Sequence, residues 1–168
     1  MLGDVPVART KSEWRAVLRT RRREITANPA ERAARSARIW AVVAGRLRAA
    51  QRVMLFESLP SEPDTTAWFD WCREHGCAVF VPRVEGLDLR VDPGDVDPAT
   101  LDVVVVPGVG FGTDGRRLGQ GGGHYDRFLA RLPARTLTIG VCFAEQLVDG
   151  LPVEPHDIAV HAVVSDAS

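Results

Sequence analysis

The amino-acid sequence predicts an α/β fold, a single three-layer domain in which helices flank a mostly parallel sheet. From residue 52 onward, short apolar runs alternate with segments of helical periodicity, which is typical of βαβ units. Residues 102–106 end in four consecutive valines, the pattern of a parallel strand that is buried on both faces. A chain of 168 residues can bury about two thirds of its unfolded surface in one core.

Two helices are predicted before the first strand. Residues 1–10 are expected to form a flexible arm, and residues 11–168 the single domain. One face of the first helix is apolar, and another carries cations at positions i, i+4, i+8 and i+11. The apolar residues are Trp14, Val17, Leu18 and Ile25, and the cations are Lys11, Arg15, Arg19 and Arg22. A solvated helix surface is the alternative interpretation of this basic stripe. Asn28 as N-cap and Pro29 at the first helical position begin the second helix.

The remaining elements follow in order. Strands are predicted over residues 52–56, 77–81, 87–91, 102–106, 137–142 and 158–164. A helix capped by Asp64 or Thr65 and ended by Gly76 joins the first two strands. Ligands of parallel sheets bind beyond the carboxyl ends of the strands, where Ser58, Pro107 and Phe143 are expected.

A glycine loop follows the valine strand. Residues 119–123 contain four glycines in five positions, and the apolar periodicity after them predicts a helix. Such a loop can cradle a phosphate, because its amides and the helix N-terminus offer N–H groups, and Asp126 in the first turn can hold a bridging cation. A tight turn is the alternative. A Walker loop is excluded because it needs a lysine after its last glycine, and the only lysine, Lys11, lies far upstream. A dinucleotide-binding fingerprint is excluded because it needs glycine at the positions where His124 and Thr113 stand.

Composition narrows the function classes. A formal charge of −1 argues against nucleic-acid and membrane-surface partners. The three cysteines form no Cys-x-x-Cys pair and no apolar leader precedes them, so a reducing cytoplasm is expected. No apolar run approaches the roughly 20 residues of a membrane span. Nothing local supports a nucleophile formed by Cys142 with His156 or His161, and no protein nucleophile is predicted.

Several blocks of sequence, in the same order, resemble the 5-formyltetrahydrofolate cyclo-ligase (5,10-methenyltetrahydrofolate synthetase) family over nearly the whole chain. The most specific block runs from Arg117 to Phe128 and contains the glycine loop. The other blocks are Lys11-x-x-x-Arg15, residues 58–65, residues 79–84, residues 106–111, Gly140-x-x-Phe143-x-x-Gln146 and Leu151-Pro152-x-Glu154-x-His156-Asp157.

The resemblance implies a ligase that forms a C–N bond in one-carbon metabolism, using ATP and Mg2+ to convert 5-formyltetrahydrofolate into 5,10-methenyltetrahydrofolate. The γ-phosphoryl group would activate the formyl oxygen, the neighbouring nitrogen would attack, and phosphate would leave. The implied ligands of ATP are Lys11, Arg15, Arg117, Leu118, Gly119, Gln120, Gly121, Gly122, Gly123 and Tyr125. Those of the folate are Glu62, Gln120, His124 and Tyr125. Asp126 and Asp157 would hold Mg2+. A monomer or homodimer in the cytoplasm is expected.

The sequence departs from the family pattern at four positions. His124 stands where the family usually has a larger aromatic residue, and Gln120 where it often has a basic or apolar one. Gly112 replaces an Asp that commonly follows the Phe, and Gly122 replaces a Lys or Arg found in some members. We expect these changes to affect folate affinity more than ATP binding.

Three alternatives stay open. One is a paralogue that acts on a related substrate. The second is a sugar-phosphate isomerase or CoA transferase, enzymes that share this kind of glycine-loop α/β architecture and need an acid/base carboxylate but no ATP. The third is a non-catalytic protein that binds folate or nucleotide. An RNA-binding module is disfavoured by the overall charge and by the single tyrosine.

Overall fold

The computed structural model describes residues 9–48 and 51–168, so residues 1–8 of the expected arm lie outside the described residues. The helices are α1 (Lys11–Thr26), α2 (Pro29–Ala44), α3 (Thr66–Glu74) and α4 (His124–Leu129). The strands are β1 (Arg52–Met54), β2 (Ala78–Glu85), β3 (Asp88–Asp92), β4 (Val103–Val106), β5 (Gly110–Phe111), β6 (Arg117–Leu118), β7 (Leu137–Cys142) and β8 (Ala162–Ser165). None of the described helices has the length and apolar character that a membrane crossing needs.

Six strands form one sheet in the order β3-β2-β1-β4-β7-β8. All neighbours in it are parallel except β2 and β3, which form an antiparallel hairpin. The chain moves outward from β1 in one direction through β2 and in the other through β4, so the strand order reverses between β1 and β4. In open α/β sheets the crevice at such a reversal is where ligands bind.

Apolar residues cover both faces of the sheet. Successive side chains of a strand point to opposite faces, and the four valines of β4 divide accordingly. Val103 and Val105 pack with α2 and α3, where Trp40 and Trp68 stack at 5.0 Å between ring centroids. Val104 and Val106 pack on the other face, which α4 and the segment around Phe111 cover. The predicted three-layer α/β fold is confirmed.

The second helix begins as the sequence predicts, and the first begins with a cap that was not predicted. Thr10 and Glu13 form a reciprocal capping box at the start of α1, and Asn28 accepts hydrogen bonds from the amides of Ala30 and Glu31 at the start of α2. The apolar positions after the glycine loop, which are Tyr125, Phe128, Leu129 and Leu132, predict a helix that reaches Leu132, but α4 ends at Leu129. Pro133 accounts for this, because the residue before a proline is disfavoured in helical conformation.

Three predicted strands have clearly different bounds. The second continues to Glu85 rather than ending at residue 81, because it pairs with β3 in a hairpin. The first stops at Met54 rather than residue 56, since the carbonyl of Phe56 accepts from the hydroxyl of Thr65 instead of a strand. The last begins at Ala162 rather than residue 158. The backbone amides of its expected first half form hydrogen bonds outside the sheet. The amide of Ile158 donates to Asp126, and that of Val160 donates to the carbonyl of Gly115.

The sequence analysis missed the small β5–β6 ribbon altogether. Two residues on each side pair antiparallel, Gly110 with Leu118 and Phe111 with Arg117. Strands this short carry no periodicity that a sequence can display. The ribbon presents the glycine loop at the carboxyl end of β4.

Candidate active site

A cavity of about 230 Å³ lies beyond the carboxyl ends of β1 and β4, at the reversal of strand order. Every residue that the sequence analysis assigned to ATP, folate or metal lines it. These are Lys11, Arg15, Glu62, Arg117, Leu118, Gly119, Gln120, Gly121, Gly122, Gly123, His124, Tyr125, Asp126 and Asp157. Residues that the sequence analysis left without a role in the site also line it, among them Val84, Leu89, Gly108, Glu154 and His156.

The three residues expected beyond the strand ends follow β1, β4 and β7 as predicted, but only one of them lines the cavity. Pro107 lines the cavity, but Ser58 lines a separate groove beside α3. Phe143 is fully buried in the core. Cys142 is buried too, and burial raises the pKa of its thiol, so it does not provide a thiolate nucleophile.

In the glycine loop, arginine side chains donate hydrogen bonds to backbone carbonyls, whereas the backbone amides donate none among the described residues. Arg15 Nε donates to the carbonyl of Gly119 at 2.9 Å, and Arg127 Nη2 donates to that of Gly122 at 2.9 Å. Within the described part of the chain, the backbone N–H groups of residues 119–123 donate no hydrogen bond. Gly121 and Gly123 have φ of 116° and 69°, conformations that residues with a Cβ rarely adopt. The loop therefore offers a set of free amide donors beside the cavity, as a phosphate site requires.

Arg117 and Tyr125 form the buried wall behind this loop. The Arg117 side chain is 4% exposed, lies over the Tyr125 ring at 5.3 Å and is 3.5 Å from Asp126 Oδ2. Burial lowers the pKa of Arg117 and raises that of Tyr125. Arg117 Nε and Tyr125 Oη have no hydrogen-bond partner among the described residues. A buried polar atom without a partner costs about 1–3 kcal/mol, so both atoms fit a polar ligand in the cavity.

Lys11 lies across the cavity between two carboxylates. Its Nζ is 2.7 Å from Asp157 Oδ2 and 2.5 Å from Glu154 Oε2. Partial burial acts to lower the pKa of Lys11, but its bonds to Asp157 and Glu154 outweigh this and raise it. Burial acts to raise the pKa of Asp157, but the bonds from Lys11 and the Glu154 amide and the charges of Lys11 and His156 together lower it. A predicted phosphate-binding cation thus neutralises a predicted metal ligand.

The two predicted metal ligands differ in their surroundings. Asp157 lies in a group with Glu154 and His156 whose ligand atoms are all within 4.8 Å of one another. Asp126 is outside that group: its Oδ1 accepts from the amide of Ile158 at 3.0 Å and its Oδ2 faces Arg117. Carboxylate oxygens of this kind suit Mg2+, a hard cation. The spacing Glu154-x-His156-Asp157 was visible in the sequence, but no chemical rule singled out its first two members.

Glu62 is a buried carboxylate that also lines the cavity. It is 6% exposed, and its Oε2 accepts from the amide of Leu59 at 2.8 Å. Burial raises the pKa of Glu62, although the Leu59 amide, Arg22 and Arg32 act to lower it. Its Oε1 is 3.8 Å from Arg22 Nη1. Such a group is available to a ligand that carries N–H donors.

Comparison with known proteins identifies the family. The 5-formyltetrahydrofolate cyclo-ligase of Escherichia coli K12 is 30% identical over 175 residues, which span 89% of this chain and 96% of that protein. The chain belongs to the 5-formyltetrahydrofolate cyclo-ligase family. A family model with that description matches residues 90–166. The cyclo-ligase of Mycolicibacterium smegmatis is 29% identical over 94% of each chain.

Solved structures carry the same fold. The 5,10-methenyltetrahydrofolate synthetase of Mycoplasma pneumoniae superposes with a TM-score of 0.83 at 22% identity, covering 93% of this chain and 98% of that one. The synthetase of Aquifex aeolicus gives 0.80 at 27% identity, covering 94% and 90%. The high coverage on both sides confirms the fold over almost the full length of this cyclo-ligase family member.

Two departures from the family pattern have a steric counterpart in the structure. A Cβ at Gly122 would lie 2.7 Å from His124 Nδ1, so the imidazole occupies the space that a side chain at 122 needs. A Cβ at Gly112 would lie 2.5 Å from Asp114 Oδ1, a carboxylate oxygen that accepts from the amide of Arg116. At both positions the glycine makes room for a neighbouring polar side chain.

Proposed function

We propose that this family member catalyses the ATP- and Mg2+-dependent cyclisation of 5-formyltetrahydrofolate to 5,10-methenyltetrahydrofolate, with release of ADP and phosphate. One observation carries the proposal: a single cavity is lined by free loop amides, by a buried and incompletely paired arginine, and by a buried carboxylate. The first set suits phosphate oxygens, and the carboxylate suits the N–H donors of a pterin ring.

The residues divide into three groups. Lys11, Arg15, Arg117, Leu118, Tyr125 and the loop from Gly119 to Gly123 bind the nucleotide, and Asp126 and Asp157 hold Mg2+. Glu62, Gln120, His124 and Tyr125 bind the folate. When bound, Mg2+-ATP supplies the phosphoryl group that turns a formyl oxygen into a leaving group. Lys11 would hold phosphate oxygens of the nucleotide, and Asp157 would hold the cation.

The chain's own contribution is positioning and charge neutralisation. Arg117 is held by Asp126 and by the carbonyl of Pro107, 3.3 Å from its Nη1, so its charge is fixed before any ligand binds. Such preorganised cations can stabilise negative charge without reorganising during the reaction. Leu89 and Pro107 give the cavity apolar walls that limit the access of water. No side-chain nucleophile is needed.

The decisive experiment follows formation of the methenyl chromophore from 5-formyltetrahydrofolate. We expect product only when ATP and Mg2+ are both present, and loss of product in Glu62→Gln with nucleotide affinity retained. Product formed at the same rate without ATP would contradict the proposal. Tight nucleotide binding without turnover would favour a non-catalytic protein, and ATP-dependent turnover of a different reduced folate would favour a paralogue.

The remaining expectations concern the cellular setting. Cys72, Cys77 and Cys142 are free and buried, which fits a reducing compartment. We therefore propose a cytoplasmic enzyme that acts as a monomer or homodimer on a small-molecule folate. Light scattering of the purified chain measures the oligomeric state.

A further inference from the structure

Arg22 differs from the other cations of the basic stripe. Lys11 and Arg15 line the cavity, and Arg19 Nη2 reaches Gln120 Oε1 at 2.8 Å, but Arg22 is only 3% exposed. Its guanidinium lies behind the cavity wall rather than in solvent. Transferring a charged group into the interior is costly unless a partner compensates it. The contacts of Arg22 therefore indicate what its charge does.

The Arg22 guanidinium joins helix α1 to the loops that follow β1 and β4. Its Nη2 donates to Ser61 Oγ at 3.1 Å, its Nη1 donates to the carbonyl of Gly108 at 3.4 Å, and the same Nη1 is 3.8 Å from Glu62 Oε1. Gly108 and Glu62 both line the cavity. Arg22 Nε has no hydrogen-bond partner among the described residues. One buried cation thus touches both strand-end loops that shape the site.

Arg22 also supplies the positive charge nearest to the Glu62 carboxylate. On α2, Arg32 donates to the main-chain carbonyl of Glu62 at 2.9 Å, and its guanidinium is shared with Asp64 at 3.3 Å. On α4, the buried Tyr125 has a raised pKa and is neutral at physiological pH. The remaining group facing Glu62 is the uncharged amide of Leu59. Within the described residues, Arg22 is therefore the only cation that pairs with the Glu62 carboxylate itself.

We propose that Arg22 is a positioning residue for Glu62, keeping this buried side chain ionised and fixed toward the cavity so that it accepts the N–H donors of the substrate's ring. An ionised carboxylate accepts two such donors in a fork, whereas a protonated one loses an acceptor and presents a proton to the ring instead. Glu62 as the ring's partner rests on the proposed function; the coupling between Arg22 and Glu62 rests on the geometry alone. Nucleotide binding does not depend on this pair.

The first test measures the titration of Glu62 in the ligand-free full chain. Carbon-detected NMR of side-chain carboxyls follows it, with the signal assigned by its absence in Glu62→Gln. We expect Arg22→Met, which removes the charge and keeps a long side chain, to move the Glu62 midpoint upward by at least about one pH unit, because an opposite charge within about 4–6 Å lowers a carboxyl pKa by 1–3 units. Arg22→Lys should keep most of the wild-type midpoint. An unchanged midpoint in Arg22→Met overturns the proposal.

The second test measures affinity by calorimetry. Arg22→Met should bind 5-formyltetrahydrofolate about tenfold more weakly at neutral pH, because a tenfold loss corresponds to one lost hydrogen bond to a charged group. Its affinity should recover as the pH rises. Mg2+-ATP affinity should stay the same. A purely structural role would lower the melting temperature without moving either pH profile, and that result overturns the proposal.

Controls separate the possible failures. Arg23→Met removes an exposed charge from the same helix, away from Glu62, and should leave both readouts unchanged. If Arg22→Met does not fold, Arg22→Gln keeps donors for Ser61 and Gly108 without the charge, and the same NMR shift is expected. If the midpoint shifts but the wild-type chain does not bind 5-formyltetrahydrofolate, the coupling stands and the proposed substrate falls.

Discussion

At the scale of single residues, cations and carboxylates of the cavity neutralise each other in pairs. Lys11 is held by Asp157 and Glu154, and Arg117 by Asp126. A ligand carrying both a polyanion and a divalent cation can replace both members of a pair at once, whereas either ion alone leaves one member unpaired. Under the proposed function, this arrangement favours joint binding of nucleotide and metal.

Because Asp157 pairs with Lys11 and Asp126 with Arg117, we expect their asparagine variants to differ in nucleotide affinity and in turnover. In Asp157→Asn, Lys11 loses a charged competitor, so ATP without Mg2+ should bind at least as tightly as to the wild type, while Mg2+-dependent turnover should fall. In Asp126→Asn, turnover should fall at limiting Mg2+, because an amide is a weaker ligand than a carboxylate. Calorimetry with a chelator and turnover against Mg2+ concentration test this. If both residues serve one ion, the losses in the double variant will be non-additive, and additive losses would contradict a shared site.

His124 is the residue at which substrate preference can be tested. Its ring lines the cavity, with Nε2 3.3 Å from the carbonyl of Gly86 at the tip of the β2–β3 hairpin. His124→Tyr enlarges the stacking surface, and aromatic pairs contribute about 0.5–1.5 kcal/mol, so affinity for 5-formyltetrahydrofolate should rise about two- to tenfold with ATP affinity unchanged. Weaker folate binding by a folded Tyr variant would indicate that histidine is suited to a different ligand.

At the scale of elements, the sequence predicts what local chemistry determines. The Asn28-Pro29 start of α2 and the strand at residues 137–142 are where the cap and the apolar run place them. The basic stripe of α1 was predicted as one surface, yet Lys11 enters the cavity whereas Arg22 is buried behind it. Periodicity gives the face of a helix, but not which loops pack against each turn. The partners of Lys11 lie more than 140 residues away, beyond the reach of any local pattern.

The N-terminal turns of α1 should determine nucleotide affinity. Lys11→Ala removes a cation from the cavity, and Arg15→Ala removes both a cation and the donor that fixes Gly119. Each should weaken Mg2+-ATP binding by about tenfold or more, the equivalent of one charge-assisted hydrogen bond. Arg23→Ala, in the exposed last turn, is the matched control and should bind normally. Equal Mg2+-ATP affinities for all three variants would indicate that the basic stripe is an ordinary solvated helix surface.

At the scale of the whole molecule, a second ion-pair cluster joins distant parts of the chain away from the cavity. Arg35 of α2 is 7% exposed; its Nε donates to Asp166 Oδ2 at 2.6 Å and its Nη1 to Glu145 Oε1 at 3.0 Å. Asp166 Oδ1 also accepts from the amide of Ala144 at 2.8 Å. The cluster thus fastens α2 to the segments of chain that follow β7 and β8.

This cluster should shape the acid limb of stability. Burial acts to raise the pKa of Asp166, but its bonds with Arg35 and the Ala144 amide outweigh this and lower it; the bond with Arg35 likewise lowers the pKa of Glu145. A carboxyl whose pKa is lower in the folded than in the unfolded state contributes stability above the unfolded value, about 4, and loses it as pH falls through the folded value. Asp166→Asn should therefore lower the free energy of unfolding at pH 7 by about 1.5–3 kcal/mol and flatten its decline below pH 4.

The control is Asp70→Asn, which disrupts an exposed pair with Arg73 and should lower the free energy of unfolding by about 1 kcal/mol or less. Urea unfolding of the three proteins between pH 7 and pH 3 measures both effects, and parallel acid limbs for wild type and Asp166→Asn would show that the cluster does not set acid stability.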